Sequence, residues 1–413
     1  MTEDERYVSA PDRSPGSPSA VPPEERSAPS SEPPSEVPTA PPEPPPAVPL
    51  APRATVDDLR GLLVEGRPLI DVRAPVEFAK GAFPGAVNMP LLSDEERHEI
   101  GVRYKRRGQE AAIALGAELL DEPERARRTA RWKAFADARP DAALYCFRGG
   151  LRSRIAQAWL AEAGVELPLV TGGYKAMRSW LIGELERLAD TLPLALVGGR
   201  PGVGKTLLIE RLGRSVDLEG IACHRGSSFG ALVGPQPGNI DFENRTTLEL
   251  LRLEAESRAP VWLEDEARLI GRVAMPETLV QAMRRAPITL LEAPLEVRVR
   301  NCLDDYVIDL LARHRAAYGE ELGFERYAAH HRGSLDRVRK RLGGDNHALA
   351  GRMLEEALAA HRERGVIAGY VPFVEFMLER YYDPMYDYQI AGKRGRVRFG
   401  GDAASILERF GAG

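Results

Sequence analysis

Two consecutive parallel α/β units, preceded by a proline-rich tail and followed by a helical, basic C-terminal part, are what this sequence predicts. Three observations carry the reading. Short apolar runs alternate with longer charged or amphipathic stretches, the pattern of parallel strands joined by crossover helices. Two of those runs end in glycine-rich turns that open helices, at Cys146-Phe-Arg-Gly-Gly and at Gly199-Arg-Pro-Gly-Val-Gly. Residues 1–52 hold 16 of the 33 prolines and few large apolar side chains, too little burial to offset the entropy of ordering. The expected layout is a disordered tail over 1–53, a first α/β domain over 54–180, a second over 181–303, and a helical basic part over 304–413. The tail reads as plain solvated chain, with a polyproline ligand as the alternative.

In the first unit, Thr55 precedes a short helical pattern, Val56–Leu63. Strands are expected at Pro68–Val72, at Ala86–Asn88 after the turn Phe83-Pro84-Gly85, at Ala142–Tyr145 and at Leu167–Val170. Residues 93–138 are charged and helical, and a helix over Ser153–Ala163 follows the cysteine turn. After a helix over Tyr174–Ala189, the second unit opens with a strand, Leu192–Val197, and a helix from Lys205. Further strands are expected at Pro260–Leu263 and Ile288–Leu291. From Asp304 the pattern turns helical.

Composition narrows the class. Hydrophobic residues make up 43% and charged residues 28%, ordinary for a protein with a full-sized core. No apolar stretch approaches a membrane span, and the acidic start lacks the features of a secretory signal; both point to a cytoplasmic protein. The net charge of −5 is misleading. The first 52 residues carry nine acids against three arginines, so the remainder is close to neutral and its partners must be read from local patches. The three cysteines, Cys146, Cys223 and Cys302, are far apart and have no CxxC spacing, which excludes a disulfide framework or a structural zinc site.

Cys146 sits between a strand and a helix. Gly149 and Gly150 permit a tight turn whose N–H groups converge, the helix presents its positive end, and Arg148 and Arg152 add charge. Together these favour a thiolate nucleophile over a merely buried core cysteine. Gly199, Gly202, Gly204, Lys205 and Thr206 form G-x-x-x-x-G-K-T after a strand and before a helix. In that context backbone N–H groups cradle phosphates, the lysine supplies charge and the threonine can hold Mg²⁺. Glu264 and Asp265 end a strand in carboxylates that could lie near such a metal, and the sequence does not distinguish them. Arg225, Ser227 and Ser228, about twenty residues past the phosphate loop, could meet an acceptor or a second phosphate. Cys223 and His224 are too few for a metal site.

Two basic clusters stand out. Arg337, Arg339, Lys340 and Arg341 close a run that starts at Arg326, and Lys393 and Arg394 open a second that ends at Arg398. Such clusters suit an RNA backbone, and Tyr327, Tyr381, Tyr382, Tyr386 and Tyr388 nearby could stack bases. A solvated helix face with core tyrosines is the competing account.

Two resemblances follow from these motifs. Cys146 and Arg152 have the C-x5-R spacing of cysteine phosphatases, but Tyr145 stands where that motif usually has His. Asp71-Val-Arg73, Glu77-Phe78, Gly81, Pro84-Gly-Ala-Val-Asn-Met-Pro90 and Gly172-Gly-Tyr-Lys-Ala-Met177 resemble rhodanese signatures, with Met177 in place of a Trp. A rhodanese-like parallel-sheet domain followed by a P-loop NTPase-like domain resembles the selenophosphate-dependent tRNA 2-selenouridine synthase family. The stretches His224-Arg-Gly-Ser-Ser-Phe-Gly and Leu263-Glu-Asp-Glu266 add to that likeness. The resemblance implies a transferase acting on wobble 2-thiouridine in tRNAs for Lys, Glu and Gln. It implies alkylation of the sulfur by geranyl diphosphate, replacement by selenium from selenophosphate, a Cys146 selenopersulfide, and a selenophosphate-supplying enzyme as partner. For the P-loop, geranyl diphosphate and ATP remain rival ligands. An ATP-dependent tRNA sulfurtransferase and a cysteine phosphatase are the alternative activities.

Overall fold

The structure, a computed structural model, describes residues 53–411. The proline-rich tail expected over 1–53 lies outside the described residues except for Arg53, as do Ala412 and Gly413. The described residues fall within one compact unit, Pro45–Gly413.

The first sheet contains β1 (Thr55–Val56), β2 (Leu69–Asp71), β3 (Ala86–Asn88), β4 (Ala143–Tyr145) and β5 (Leu169–Val170) in the order β1-β5-β4-β2-β3. Every pairing is parallel. Strands β2 and β4 are buried throughout, which is why their sequences read as unbroken apolar runs ending in one special residue. The second sheet contains β6 (Leu194–Gly198), β7 (Ser215–Val216) and β8 (Val261–Glu264); a small antiparallel pair follows, β9 (Leu269–Ile270) with β10 (Val273–Ala274). Strands β11 (Ile288–Leu291) and β12 (Val397–Gly401) complete the second sheet, in the parallel order β12-β11-β6-β8-β7.

Two features depart from the expected layout. The C-terminal part is not wholly helical: Val397–Gly401 returns to pair with β11, inside the cluster read as basic helix. Its five residues, two of them glycine, give too short an alternation to read as a strand. The boundary expected at 180 falls inside one helix, Gly173–Thr191. This helix buries Tyr174, Met177, Leu181, Leu185 and Leu188, spaced three and four apart. It packs against the helix Asn239–Glu256, and one apolar core runs from Tyr145 and Val170 through these residues to Phe242, Leu251 and Leu263. Polar ties reinforce the junction. Ala82 N–H donates to Asp241 Oδ1 at 2.8 Å, Asn244 Nδ2 donates to the Ala82 carbonyl at 2.8 Å, and Arg178 donates to Asn244 at 2.9 Å.

Beyond β11 the chain builds a helical cluster from Leu310–Tyr318, Glu320–Leu342 and Gly344–Arg364, with a second core around Tyr327, Leu335, Leu354 and Phe373. Two π-helical turns interrupt it, Asp304–Asp309 and Leu378–Tyr382. Among the described residues, no helix is long and apolar enough to cross a membrane.

Candidate active site in two parts

Both glycine-rich turns leave the carboxyl end of an inner strand, β4 or β6, where open α/β sheets present their binding crevices.

After β4, Cys146 begins a turn that ends at the helix Leu151–Glu162, with Gly150 at its N-cap. Gly149 has φ +64°, and a Cβ there would meet the Gly172 nitrogen and Val170 oxygen at 3.1 Å; only glycine lets the turn close against the next loop. That loop grips it in return, with Tyr174 N–H on the Cys146 carbonyl at 2.9 Å and Lys175 N–H on that of Phe147 at 3.0 Å. Ser153 Oγ donates to Cys146 Sγ at 3.1 Å. Cys146 is 3% exposed but lines an open pocket of about 700 Å³. Arg73, Lys80, Arg97, Arg148 and Arg152 surround it, with Glu77 as their acid and Ile240 of the second domain at the border. Arg148 is exposed. Arg152 is held by Glu77 at 2.5 Å. Burial alone would raise Glu77, but the Arg152 hydrogen bond, the charges of Arg152 and Arg97 and the Ala74 N–H together outweigh it and hold that carboxyl below its usual range. Asp71 is fully buried and accepts from the Arg73 backbone and guanidinium at 2.6–3.0 Å, while Arg73 also donates to the Gly81 carbonyl and lies 3.9 Å from the centre of the Tyr174 ring. Asp71 is thus a structural carboxylate. Lys80 and Arg97 were not foreseen; they reach the pocket from elements distant in sequence.

After β6, Gly199 and Gly202 take positive φ, and Gly204 caps the helix Lys205–Arg211. Around this loop Asn301 Nδ2 donates to the Gly202 carbonyl at 2.7 Å and Arg298 Nε to that of Pro201 at 2.9 Å. Arg298 is anchored by Asp383. A polar pocket of about 510 Å³ opens here, lined by Gly202, Gly204, Lys205, Thr206, Glu219, His224, Arg225, Ser227 and Tyr386 among others. Burial, then repulsion from Glu266, pushes Glu219 upward, although Lys205 pulls the other way. Burial, with the charges of Arg337 and His330, lowers His224.

The two carboxylates that the sequence left equivalent are separated by the fold. Glu264 is fully buried, accepts Leu218 N–H at 3.0 Å, and is pushed up to about 8 by burial and Asp217; it is withdrawn from the phosphate loop. Asp265 stands beside Gly198 and is bound by Lys393 at 2.7 Å. Arg225 is engaged by Asp305 at 2.6 Å and by Asp309, and Ser227 Oγ lies 3.0 Å from the Tyr306 hydroxyl. Ser228 sits one step away, its carbonyl accepting from Arg337 at 3.0 Å, in a surface pocket with Lys340, Arg341 and Tyr381. Among the described residues no group of three His, Cys, Asp or Glu is placed to hold a metal ion.

A second, narrow cavity adjoins the polar one, and Pro201, Ser227 and Tyr306 belong to both linings. It encloses about 50 Å³. Its wall is Phe229, Cys302, Val307, Tyr370, Phe373, Val374, Met377 and Leu378, with His331 and Tyr382. Both π-helical turns contribute, the first through Tyr306 and Val307 and the second through Leu378 and Tyr382; such turns commonly mark functional sites. Burial pushes the Cys302 thiol up to about 12, so it packs as a neutral group. No local sequence signal announced this cavity, because its wall is gathered from four separated segments.

The basic clusters are only partly available to RNA. Arg339, Lys340, Arg341 and Arg394 are exposed, whereas Lys393 is committed to Asp265 and Arg396 to the carbonyls of Met283 and Ala286. The stacking role read for the tyrosines is corrected: Tyr327, Tyr381 and Tyr382 are buried in the helical core and Tyr386 is half-buried, leaving Tyr388 at 83% exposure. Amphipathic packing claimed them because an apolar ring is worth more inside than on a surface.

Comparison with known proteins agrees with this division. A model of the rhodanese-like domain matches residues 55–179, and one described as the tRNA 2-selenouridine synthase AAA domain matches residues 192–412. Proteins named tRNA 2-selenouridine synthase are similar over nearly their whole length. That of Cupriavidus pinatubonensis is 48% identical over 86% of this chain and 98% of its own. Those of Bordetella bronchiseptica and Marinobacter nauticus are 47% and 45% identical, each over 86% of this chain and 97% of their own. A cysteine turn, a phosphate loop and a shared helix thus occur together in a chain that belongs to the tRNA 2-selenouridine synthase family.

Proposed function

We propose that this tRNA-modifying transferase works in two steps on wobble 2-thiouridine of tRNAs for Lys, Glu and Gln. In the first, the thiocarbonyl sulfur attacks C1 of geranyl diphosphate at the P-loop. The C–O bond breaks, diphosphate leaves, and the base loses its N3 proton. In the second, the Cys146 thiolate adds to C2 and expels geranylthiol, and the selenium of selenophosphate then displaces Cys146 from C2; a Cys146 selenopersulfide would require a two-electron oxidant, because selenium in selenophosphate is already at the selenide level. Overall, the C2–S bond breaks, a C2–Se bond forms, geranylthiol departs, and water takes the phosphoryl group as phosphate.

The observation that carries the reading is that a polar phosphate cradle and an adjoining apolar cavity share Pro201, Ser227 and Tyr306 in their linings. An isoprenoid diphosphate has the same partition, a polyanionic head on an apolar tail, whereas ATP offers a polar ribose and base. Gly199, Gly202, Gly204, Lys205 and Thr206 would hold the head, and Lys205 would stabilise the departing charge. Thr206 and Asp265 are the groups that would meet Mg²⁺, which when bound would neutralise diphosphate further; the Lys393 ammonium already supplies charge there. The basic pocket at Cys146 suits the selenophosphate anion delivered by a supplying enzyme. The engagement of Arg152 by Glu77 disfavours the phosphatase reading, which needs that guanidinium on phosphate. Exposed Arg339, Lys340, Arg341 and Arg394, with Arg337 beside them, form the surface that would be offered to tRNA, a substrate that fits a cytoplasmic enzyme.

Competitive titration tests the first step. Geranyl diphosphate should bind the full chain and be displaced by inorganic diphosphate. Tight ATP binding without competition by geranyl diphosphate would transfer the P-loop to the sulfurtransferase alternative.

A further inference from the structure

The helical stretch Asp94–Leu119 is broken at Gly108, whose φ of 83° and ψ of −175° are not helical. The chain doubles back there. A Cβ on Gly116 would meet Ile100 Cδ1 at 3.6 Å, whereas a straight helix would hold those two positions about 24 Å apart. Residues 103–107 are therefore the last turn before the tip of a helical hairpin, and every residue from Tyr104 to Glu110 is exposed. The hairpin's base is fastened beside the Cys146 pocket. Asp94 accepts Val76 N–H at 2.9 Å, and Arg97, which lines that pocket, pairs with Glu77 at 3.0 Å. Elsewhere in the first domain Arg53, Arg73, Arg125, Arg128 and Arg152 are likewise paired with carboxylates. Among the described residues Arg103, Lys105, Arg106 and Arg107 have no such partner, and the stretch from Ile100 to Ala117 holds one acid, Glu110. The negative end of the first helical segment favours cations in its last turn. It does not call for the aromatic ring set among them, that of Tyr104, which is 56% exposed.

We propose that this hairpin tip is a tRNA-binding arm of the first domain, with Tyr104 stacked on an unpaired base and Arg103, Lys105, Arg106 and Arg107 set against the backbone phosphates around it. An exposed ring flanked by uncommitted cations is the combination that grips single-stranded RNA, stacking on a base while charge follows the chain. Its placement relative to the chemistry rests on the reading of the Cys146 pocket as the selenation site. Tyr104 follows Arg97 by seven residues, so it shares that side of the helix about 10 Å further out. A base held on Tyr104 would belong to the same loop as the nucleoside presented to Cys146. The arm is separate from the basic surface of the C-terminal helices.

Filter binding of an unmodified tRNA transcript to the full chain across a salt series tests the arm directly. The triple variant K105Q/R106Q/R107Q should reduce the slope of log affinity against log salt by about two. Y104A should weaken binding about tenfold with the slope unchanged, and Y104F, which keeps the ring, should bind as wild type does. With tRNA carrying S-geranyl-2-thiouridine as substrate, the triple variant and Y104A should raise KM for selenation and leave kcat unaltered. Wild-type affinity and slope in both the triple variant and Y104A would overturn the arm. Undiminished selenation by C146S would instead defeat the reading of the Cys146 pocket on which the arm's placement rests, and the filter-binding result would still decide whether the arm holds tRNA.

Discussion

Lys393 Nζ lies 2.7 Å from Asp265 Oδ2, tying the C-terminal segment to the end of β8 beside the phosphate loop. A lysine that looks like part of an RNA-binding cluster therefore serves the other site. Replacing it with methionine leaves the Asp265 carboxylate without that partner beside Gly198, at the start of the phosphate loop. K393M should weaken geranyl diphosphate binding about tenfold, and adding D265N should restore much of the loss. Calorimetric titration of the double-mutant cycle checks this; additive effects would remove the coupling.

Cys146 is the reacting group of selenation alone in the scheme above. C146S should lower 2-selenouridine formation on the order of a thousandfold or more while S-geranyl-2-thiouridine accumulates. S153A, which removes the hydroxyl 3.1 Å from the sulfur, should slow selenation about tenfold and spare geranylation. Nucleoside mass spectrometry separates the two products.

The Asp71–Arg73 pair is sealed from water, so breaking it leaves a buried charge without a partner. R73A should cost about 3–5 kcal/mol in denaturant unfolding and loosen the Gly81 loop that Arg73 holds. A loss below about 1 kcal/mol would mean that water reaches Asp71.

Glu264 adds a pH dependence whose sign is fixed by its upward shift. The folded state keeps its proton where the unfolded chain has released it, so its stabilising effect is complete below about pH 4.5 and is lost as pH rises towards 8. E264Q retains an acceptor for Leu218 N–H and no longer ionises. Relative to wild type it should gain stability at pH 8 and little at pH 5, measured by thermal unfolding at both values.

Exposed cations and committed ones should differ in their salt behaviour. K340Q and R394Q should each reduce the slope of log affinity for tRNA against log salt by about 0.7–0.9, whereas K393M should leave it unchanged. Filter binding across a salt series reads all three.

The legible parts of this molecule were the local ones. The turn at Cys146 and the loop Gly199–Thr206 each carry their whole meaning within eight residues, bounded by a strand and a helix, and the structure has them at strand ends as the sequence required. Strands β3 and β11 were readable to the residue because turn signals or charged residues bound them. What was hidden is built from distant pieces. Glu219, Asn301 and Tyr306 converge on the phosphate cradle from segments that share no spacing. The choice between Glu264 and Asp265 depends on which carboxylate meets Leu218 and which meets Lys393, and nothing in their own neighbourhood records it. The aromatic residues around 370–386 advertised stacking because composition cannot tell an inward ring from an outward one.

The helix Gly173–Thr191 serves both halves at once, with its apolar stripe in their common core. A molecule fused in this way has no tether to lengthen and no swivel with which to carry one workstation to the other. In the two-step scheme proposed above, the nucleobase would then do the travelling, by swinging out and re-entering or by release and recapture of the whole tRNA, and that journey would set the lifetime of the half-finished nucleoside.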